Sequence, residues 1–340
     1  PKGWPPRSTE DRPEGRPRMQ LRLALTWKSW YYKVALPALR RLGPGPADAA
    51  LGALGRMVGA APGRRREIVR AVARARAVLG ADWDEPATAS GVAANLARYS
   101  ARDYPLDGLA DEDVLARFDV FGGGHLDEAL GRGRGAIVVG CHLGAHVSGL
   151  HWLYRRGVPI RSLVQRPGHV SGELHRRFDL AGPHPQSAFF LRRSMTPAES
   201  VDRLLRARSA LRDGLAVYLT GDIPWPGPNG RSGRLLGVDR TFLAVWADLA
   251  AVARSPVVFL FAAHRPGGRY ELTFEPPRSV EPGAEDLAVA AYLRRLEAAI
   301  AADPADAVAY LLWPCFGPPA RSIADACPRV GRRVSVALGR

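Results

Sequence analysis

The chain has 340 residues, 46% of them hydrophobic and 24% charged, and a formal net charge of +15. That length and apolar content suffice for one large core or two small ones, which excludes a chain that is disordered throughout. The excess charge is carried by arginine, since lysine occurs only at positions 2, 28 and 33; in a chain also rich in Ala, Gly and Pro this fits a bias of composition as well as attraction to an anionic membrane surface, and without a basic helix or aromatic–basic interleaving nucleic acid is not expected.

Residues 1–18, PKGWPPRSTEDRPEGRPR, are dense in proline and charge and read as a disordered tail. Residues 19–43 read as an amphipathic helix. Leu23, Trp27, Trp30, Tyr31, Val34 and Ala38 share one face, and Arg22, Thr26, Ser29, Lys33 and Arg40 the other. Such a helix suits either a membrane interface, where Trp and Tyr concentrate, or packing on its own domain. Pro37 kinks it in both cases. Residues 44–130 read as a helical arm, ADAALGALGRMV, RRREIVRAVARARAVLG and TASGVAANLARYSARDY, punctuated by Pro and Gly.

From 131 to 325 the pattern becomes β and α in alternation. AIVVGC (136–141) and PIRSLVQ (159–165) are apolar runs of strand length. TPAESVDRLLRARSALRDG (196–214) is a signed helix, with Thr196 as N-cap, Pro197 in the first turn, Glu199 closing a capping box and Gly214 as the stop. LAVYLTG follows as a strand, then a loop over 222–240, a helix over 241–255, and the strands PVVFLFAAH and YELTFEP. Strands apolar throughout and separated by helices imply an α/β domain with a mostly parallel sheet covered by helices on both faces. Residues 326–340 form a basic tail.

In such a sheet ligands bind beyond the carboxyl ends of the strands. His142, Asp222 and His264 each follow a predicted strand, so one site can collect all three. His142, between Gly140 and Gly144, has the reach and the ordinary pKa for proton transfer. The neighbouring Cys141 should point to the opposite face and pack inward. A metal set of His142, His146 and His151 lacks a nearby carboxylate or thiolate and is not expected. Cys141, Cys315 and Cys327 are odd in number and without zinc spacing, which suits a reducing compartment. No run of about 18 uncharged apolar residues and no signal-peptide pattern occur, so neither a spanning helix nor export is expected.

GRGRGAIVVGCHLGAHVSG (131–149) resembles the first motif of the lysophospholipid acyltransferase superfamily, in the branch of bacterial lipid A lauroyl and myristoyl acyltransferases and phosphatidylinositol mannoside acyltransferases. Downstream, GVPIRSLVQRP, GLAVYLTGD and GRLLGVDRTFLAVWADLAAVARSPVVFLFAAHRPGGRYELTFEPP are similar to that branch's later strands, loop and hairpin, in the same order. The resemblance spans roughly residues 90–315 and implies a mixed sheet, preceded by the helical arm. It implies acyl transfer from acyl-CoA or acyl carrier protein to a hydroxyl of a membrane lipid or glycolipid, at the cytoplasmic face of the inner membrane, with no metal or organic cofactor. His142 is then the general base and Asp222 its support. Backbone N–H groups around Gly144 are candidates for the oxyanion, and Arg166, Arg176, Arg177, Arg231 and Arg234 for anionic groups of the substrates.

The chain departs from the family at one position. The acid of the family's HxxxxD/E pattern falls on Val147, and no Asp or Glu follows until Glu173. Three explanations stay open: Asp222 supplies the charge from another strand; a backbone carbonyl, Ser148 or His146 orients the ring; or the chain is an inactive lipid-binding relative. IPWPGPNG, directly after Asp222, also departs from the family, so the acceptor need not be lipid A.

Overall fold

The computed structural model describes residues 30–179, 182–192, 195–225, 230–313 and 315–316. The tails expected over 1–18 and 326–340 lie outside these residues, as do residues 19–29 of the amphipathic helix and Cys327. The described part of that helix is a π-helical turn, Tyr31–Ala35, running without a break into α1 (Leu36–Arg40), and Pro37, which has no N–H to give the preceding turn, stands just after the change of winding. Of the predicted apolar face only Tyr31 is buried against the arm, joined there by Leu36 from outside that face, whereas Trp30, Val34 and Ala38 are exposed.

The arm continues as α2 (Pro44–Gly59), α3 (Pro62–Leu79) and α4 (Glu85–Ala101). Asp84 caps α4 by accepting the Ala87 N–H. Arg98 of α4 holds α2 through a two-point ion pair, its Nε and Nη2 lying 2.6 and 2.9 Å from the two Asp48 carboxylate oxygens. The core then runs α5 (Asp111–Leu115), β1 (Phe118–Phe121), α6 (Gly123–Gly131), β2 (Ala136–Gly140), α7 (His146–Arg155), β3 (Ile160–Ser162), α8 (Gly172–Phe178), α9 (Pro197–Arg212) and β4 (Ala216–Thr220). It closes with β5 (Arg231–Leu235), β6 (Val238–Phe242), α10 (Val245–Ala253), β7 (Val257–Arg265), β8 (Arg269–Phe274), α11 (Glu285–Ala302) and α12 (Val308–Leu312).

Six strands form one sheet in the order β1-β8-β7-β2-β4-β3, in which every neighbouring pair is parallel except β7 and β8. The fold is therefore α/β with a mixed, mostly parallel sheet. Alternation along the central strands feeds two cores. Ile137, Val139, Val217, Leu219, Val257 and Phe259 pack towards α3, α10 and α11. Val138, Tyr218, Val258 and Leu260 pack towards α6, α7 and α8. Each such side chain, fully buried, contributes about 1.5–3 kcal/mol. Cys141 continues the first series at 1% exposure, so it packs inward as expected.

α9 carries the predicted capping box, with the Thr196 hydroxyl accepting from Glu199 N–H and the Glu199 carboxylate accepting from Thr196 N–H. Two local expectations are corrected. The helical reading of 44–130 misses β1, an edge strand whose pairing is with β8 far along the chain. The expected loop over 222–240 contains the β5–β6 hairpin, so the following helix starts at Val245 rather than Thr241. That hairpin turns on Leu236 and Gly237, both at positive φ (48° and 74°), as a two-residue turn of its kind requires.

Candidate functional site

Strand register sets the site. β2 pairs with β4 so that Gly140 lies opposite Thr220, and two residues past each strand end His142 and Asp222 face each other. The His142 Nδ1 lies 3.0 Å from both Asp222 carboxylate oxygens, and its backbone N–H donates to Asp222 Oδ2 at 2.8 Å. Tyr310 of α12 ties the pair: its hydroxyl accepts from the His142 N–H at 3.0 Å and donates to Asp222 Oδ2 at 2.5 Å. Asp222 is wholly buried, whereas the His142 side chain keeps 23% of its surface exposed. With Asp222 ionised, Nδ1 is the protonated nitrogen and Nε2 carries the lone pair. Among the described residues Nε2 has no hydrogen-bond partner. The rings of His146, Trp313 and Phe316 surround the imidazole at centroid distances of 5.2, 5.9 and 6.2 Å.

The electrostatics sort these groups. Burial pulls the His142 pKa down, but the charge and hydrogen bond of Asp222 outweigh it and leave it above the ordinary 6.5, with Arg102 acting in the opposite sense. Burial alone would raise Asp222; the paired imidazole and the bonds from His142 and Tyr310 hold it below the usual carboxylate range. His146 is driven well below its ordinary value by burial and by the charges of His142 and Arg102, so it stays neutral. Burial pushes the Cys141 thiol far up, which removes it as a nucleophile.

Of the three explanations for Val147, the geometry favours Asp222. Val147 is itself a core residue of α7, 8% exposed. Ser148 Oγ donates to the Arg102 carbonyl at 3.2 Å, and His146 Nδ1 lies 3.4 Å from the Gly144 carbonyl, so neither steers His142.

The other expected site residues fall elsewhere or take other roles. His264 pairs with Asp306 instead of joining His142: its Nδ1 lies 2.8 Å from Asp306 Oδ1 and its N–H 2.7 Å from Oδ2. The Gly144 N–H is already given to the Asp306 carbonyl at 3.0 Å, and the Ala145 N–H to the Ala262 carbonyl at 3.0 Å. Neither N–H is therefore free for an oxyanion. Gly144 shapes the turn: it sits at φ 45°, and a Cβ there would stand 2.6 Å from the Ala262 carbonyl oxygen. Arg166 reaches Asp179 at 3.4 Å and lies over the Phe190 ring. Arg231 is shared among Asp248, Asp286 and Glu285 at 2.5, 2.9 and 3.7 Å, clamping the hairpin to α10 and α11. Arg234 lines a surface hollow with Val78, Leu79, Gly237, Leu293 and Glu297. Among the described residues none of these three makes a hydrogen bond, ion pair or ring contact with the residues around His142. Arg176 and Arg177 pair with Glu173, and Arg177 also with Asp111. His151 has both nitrogens engaged, Nδ1 with Asp103 at 3.0 Å and Nε2 accepting from Arg155 at 2.9 Å, which leaves no lone pair for a metal.

Sequence reasoning missed Tyr310, Asp306, Trp313, Tyr99 and Arg102. The aromatic residues among them sit in apolar helical runs that read as plain core. Arg240 of β6 was equally silent: it donates to the Cys315 and Phe316 carbonyls at 2.8 and 3.0 Å and so holds the Phe316 side of the site in place. Among the described residues no helix is long and apolar enough to cross a membrane. No protein-family model matches the chain, and no curated protein matches it.

Proposed function

We propose that the chain is a peripheral membrane O-acyltransferase that moves a fatty acyl group from acyl-CoA or acyl carrier protein to a hydroxyl of a membrane lipid or glycolipid. The observation that carries this reading is the open His142 Nε2 backed by the buried Asp222 carboxylate, at the carboxyl ends of neighbouring strands. An acceptor hydroxyl bonded to Nε2 gives up its proton there as its oxygen attacks the thioester carbonyl carbon. Collapse of the tetrahedral adduct breaks the C–S bond, and the departing thiolate takes the proton back from Nε2–H. Asp222 holds Nδ1–H throughout and stabilises the transient imidazolium. The steps balance without any cofactor beyond the thioester co-substrate.

The thioester and lipid classes come from the motif resemblance over 131–277. Trp313, at 37% exposure, and Phe316 give the imidazole an apolar rim suited to an acyl chain. Trp30, Val34 and Leu42 offer an exposed apolar edge, and the net charge of +15 suits the anionic cytoplasmic face of the inner membrane. Wild-type protein given long-chain acyl-CoA or acyl carrier protein is expected to release thiol at least tenfold faster once the host's polar lipids are added. Absence of lipid-dependent release with both donors, from folded protein, overturns the reading.

A further inference from the structure

We propose that the corner between α2 and α3, together with the outer face of α3, is a docking surface for an anionic phospholipid bilayer, with arginines on the headgroups and Met57 and Val58 inserted beneath them. The assignment deepens the membrane part of the reading above and rests on it, but it does not depend on acyl transfer.

From Arg56 to Leu79 the chain holds seven arginines, one acid (Glu67) and otherwise only non-polar residues. Arg64 is matched with Glu67 and Arg76 with Glu85. Arg56, Arg65, Arg66, Arg70 and Arg74 are exposed and have no ion pair among the described residues. What sets them apart from other unmatched arginines of the chain is register. Arg66, Arg70 and Arg74 follow one another at four-residue steps along α3, so they share a face and repel. A helix face left in water is ordinarily laced with charges of both signs. Here the one acid is taken up by Arg64, and Val69 and Val78 are exposed at 42% and 45%. Like charges so spaced cost the helix stability until an anionic surface offsets them.

The apolar part of the surface lies beside this face. Met57 is 67% exposed and Val58 47%, in the last turn of α2. A Cβ on Gly59 would stand 3.5 Å from Ile68 Cδ1, so that turn lies against the second turn of α3, next to Val69. Apolar side chains rimmed by arginines suit a bilayer, whose headgroups meet the cations while its acyl region takes the apolar groups. Nucleic acid offers phosphates without such a layer, and the segment has no Ser, Thr, Asn or Gln to hydrogen-bond base edges. The inner face of α3 packs on α12, the helix of Tyr310. Docking therefore places α12 one helix diameter, about 10 Å, below the lipid surface.

The test is sedimentation of the full chain with vesicles of phosphatidylcholine, with and without phosphatidylglycerol. Wild type is expected to bind the anionic vesicles at least tenfold more tightly than the neutral ones. The triple variant Arg66→Gln, Arg70→Gln, Arg74→Gln is expected to lose at least tenfold on the anionic vesicles. Glutamine keeps the helix and ends the repulsion, so this variant is expected to melt no lower than wild type, and its loss of binding cannot be laid to misfolding. Met57→Asp, at an exposed position, is expected to weaken binding several-fold at an unchanged Tm, because a carboxylate resists insertion. Equal binding of anionic vesicles by wild type and the triple variant overturns the proposal. If Trp30→Ala with Val34→Ala abolishes that binding instead, the membrane reading stands on α1 and only this surface falls. Loss in the triple variant without any for Met57→Asp assigns the arginines to a polar polyanion, an acidic protein or nucleic acid, and overturns the bilayer as occupant. Failure of wild type to bind either vesicle removes this surface and the membrane reading together, while thiol release with a detergent-dispersed lipid acceptor still decides acyl transfer.

Discussion

Asp222→Asn is expected to lower lipid-dependent thiol release by about 10⁴-fold, the scale on which the base histidine of a serine protease loses function when its carboxylate is neutralised, and His142→Ala at least as far. Asparagine fits the space but presents an amide where Nδ1–H needs an anion, so the imidazole loses both its tautomer and the charge that raises its pKa. The pH profile supplies the second signature. A base must be neutral to accept a proton, so wild-type kcat/KM rises with pH through the His142 pKa, which Asp222 holds above 6.5. In Asp222→Asn that inflection moves to lower pH. The Asn carbonyl still accepts one of the bonds from Tyr310 and the His142 N–H, so the stability cost stays near 1–3 kcal/mol. A loss under tenfold in folded protein, or an unmoved inflection, rejects Asp222 as the orienting group.

Asp306→Ala carries the largest expected effect on stability, about 3–5 kcal/mol. Asp306 is 1% exposed and accepts from the His264 N–H, from His264 Nδ1 and, at 2.8 Å, from Asn95 Nδ2. Removing the carboxylate strands three donors in the interior. The same network runs through Asn95 to Arg98 and Asp48, joining the helical arm to the sheet. Thermal melts are the check, with a drop on the order of 10 °C at this size. Asp306→Asn, which keeps one acceptor oxygen, is expected to recover a good part of the loss. A cost below about 1 kcal/mol for Asp306→Ala means that water replaces the carboxylate and the network is not structural.

The legible parts of the fold are those whose signals are local. The α9 capping box can be read from four residues, and β2 and β4 from their unbroken apolar runs, because a strand buried on both faces needs no alternation. β1 was hidden because FDVF acquires strand character only by pairing Phe118 with Tyr270. The β5–β6 hairpin was hidden because its strands, RSGRL and VDRTF, are largely polar and its turn places Leu236 where Asn or Gly is usual. The site divides in the same way. His142 and Asp222 stand out as polar residues just past apolar strands, but only the register of β2 on β4 shows that they meet. Tyr310 and Asp306 reach the site through packing between segments far apart in sequence, and no local pattern marks such contacts.

The measurement that bears most directly on the central claim is the fate of the acyl chain itself, followed with an isotope-labelled acyl thioester and the host's polar lipids. If His142, oriented by Asp222, takes the proton of a lipid hydroxyl, one labelled acyl-lipid ester forms for each thiol released, and none forms with His142→Ala. Thiol release accompanied only by free labelled fatty acid, or an ester yield unchanged by His142→Ala, contradicts it.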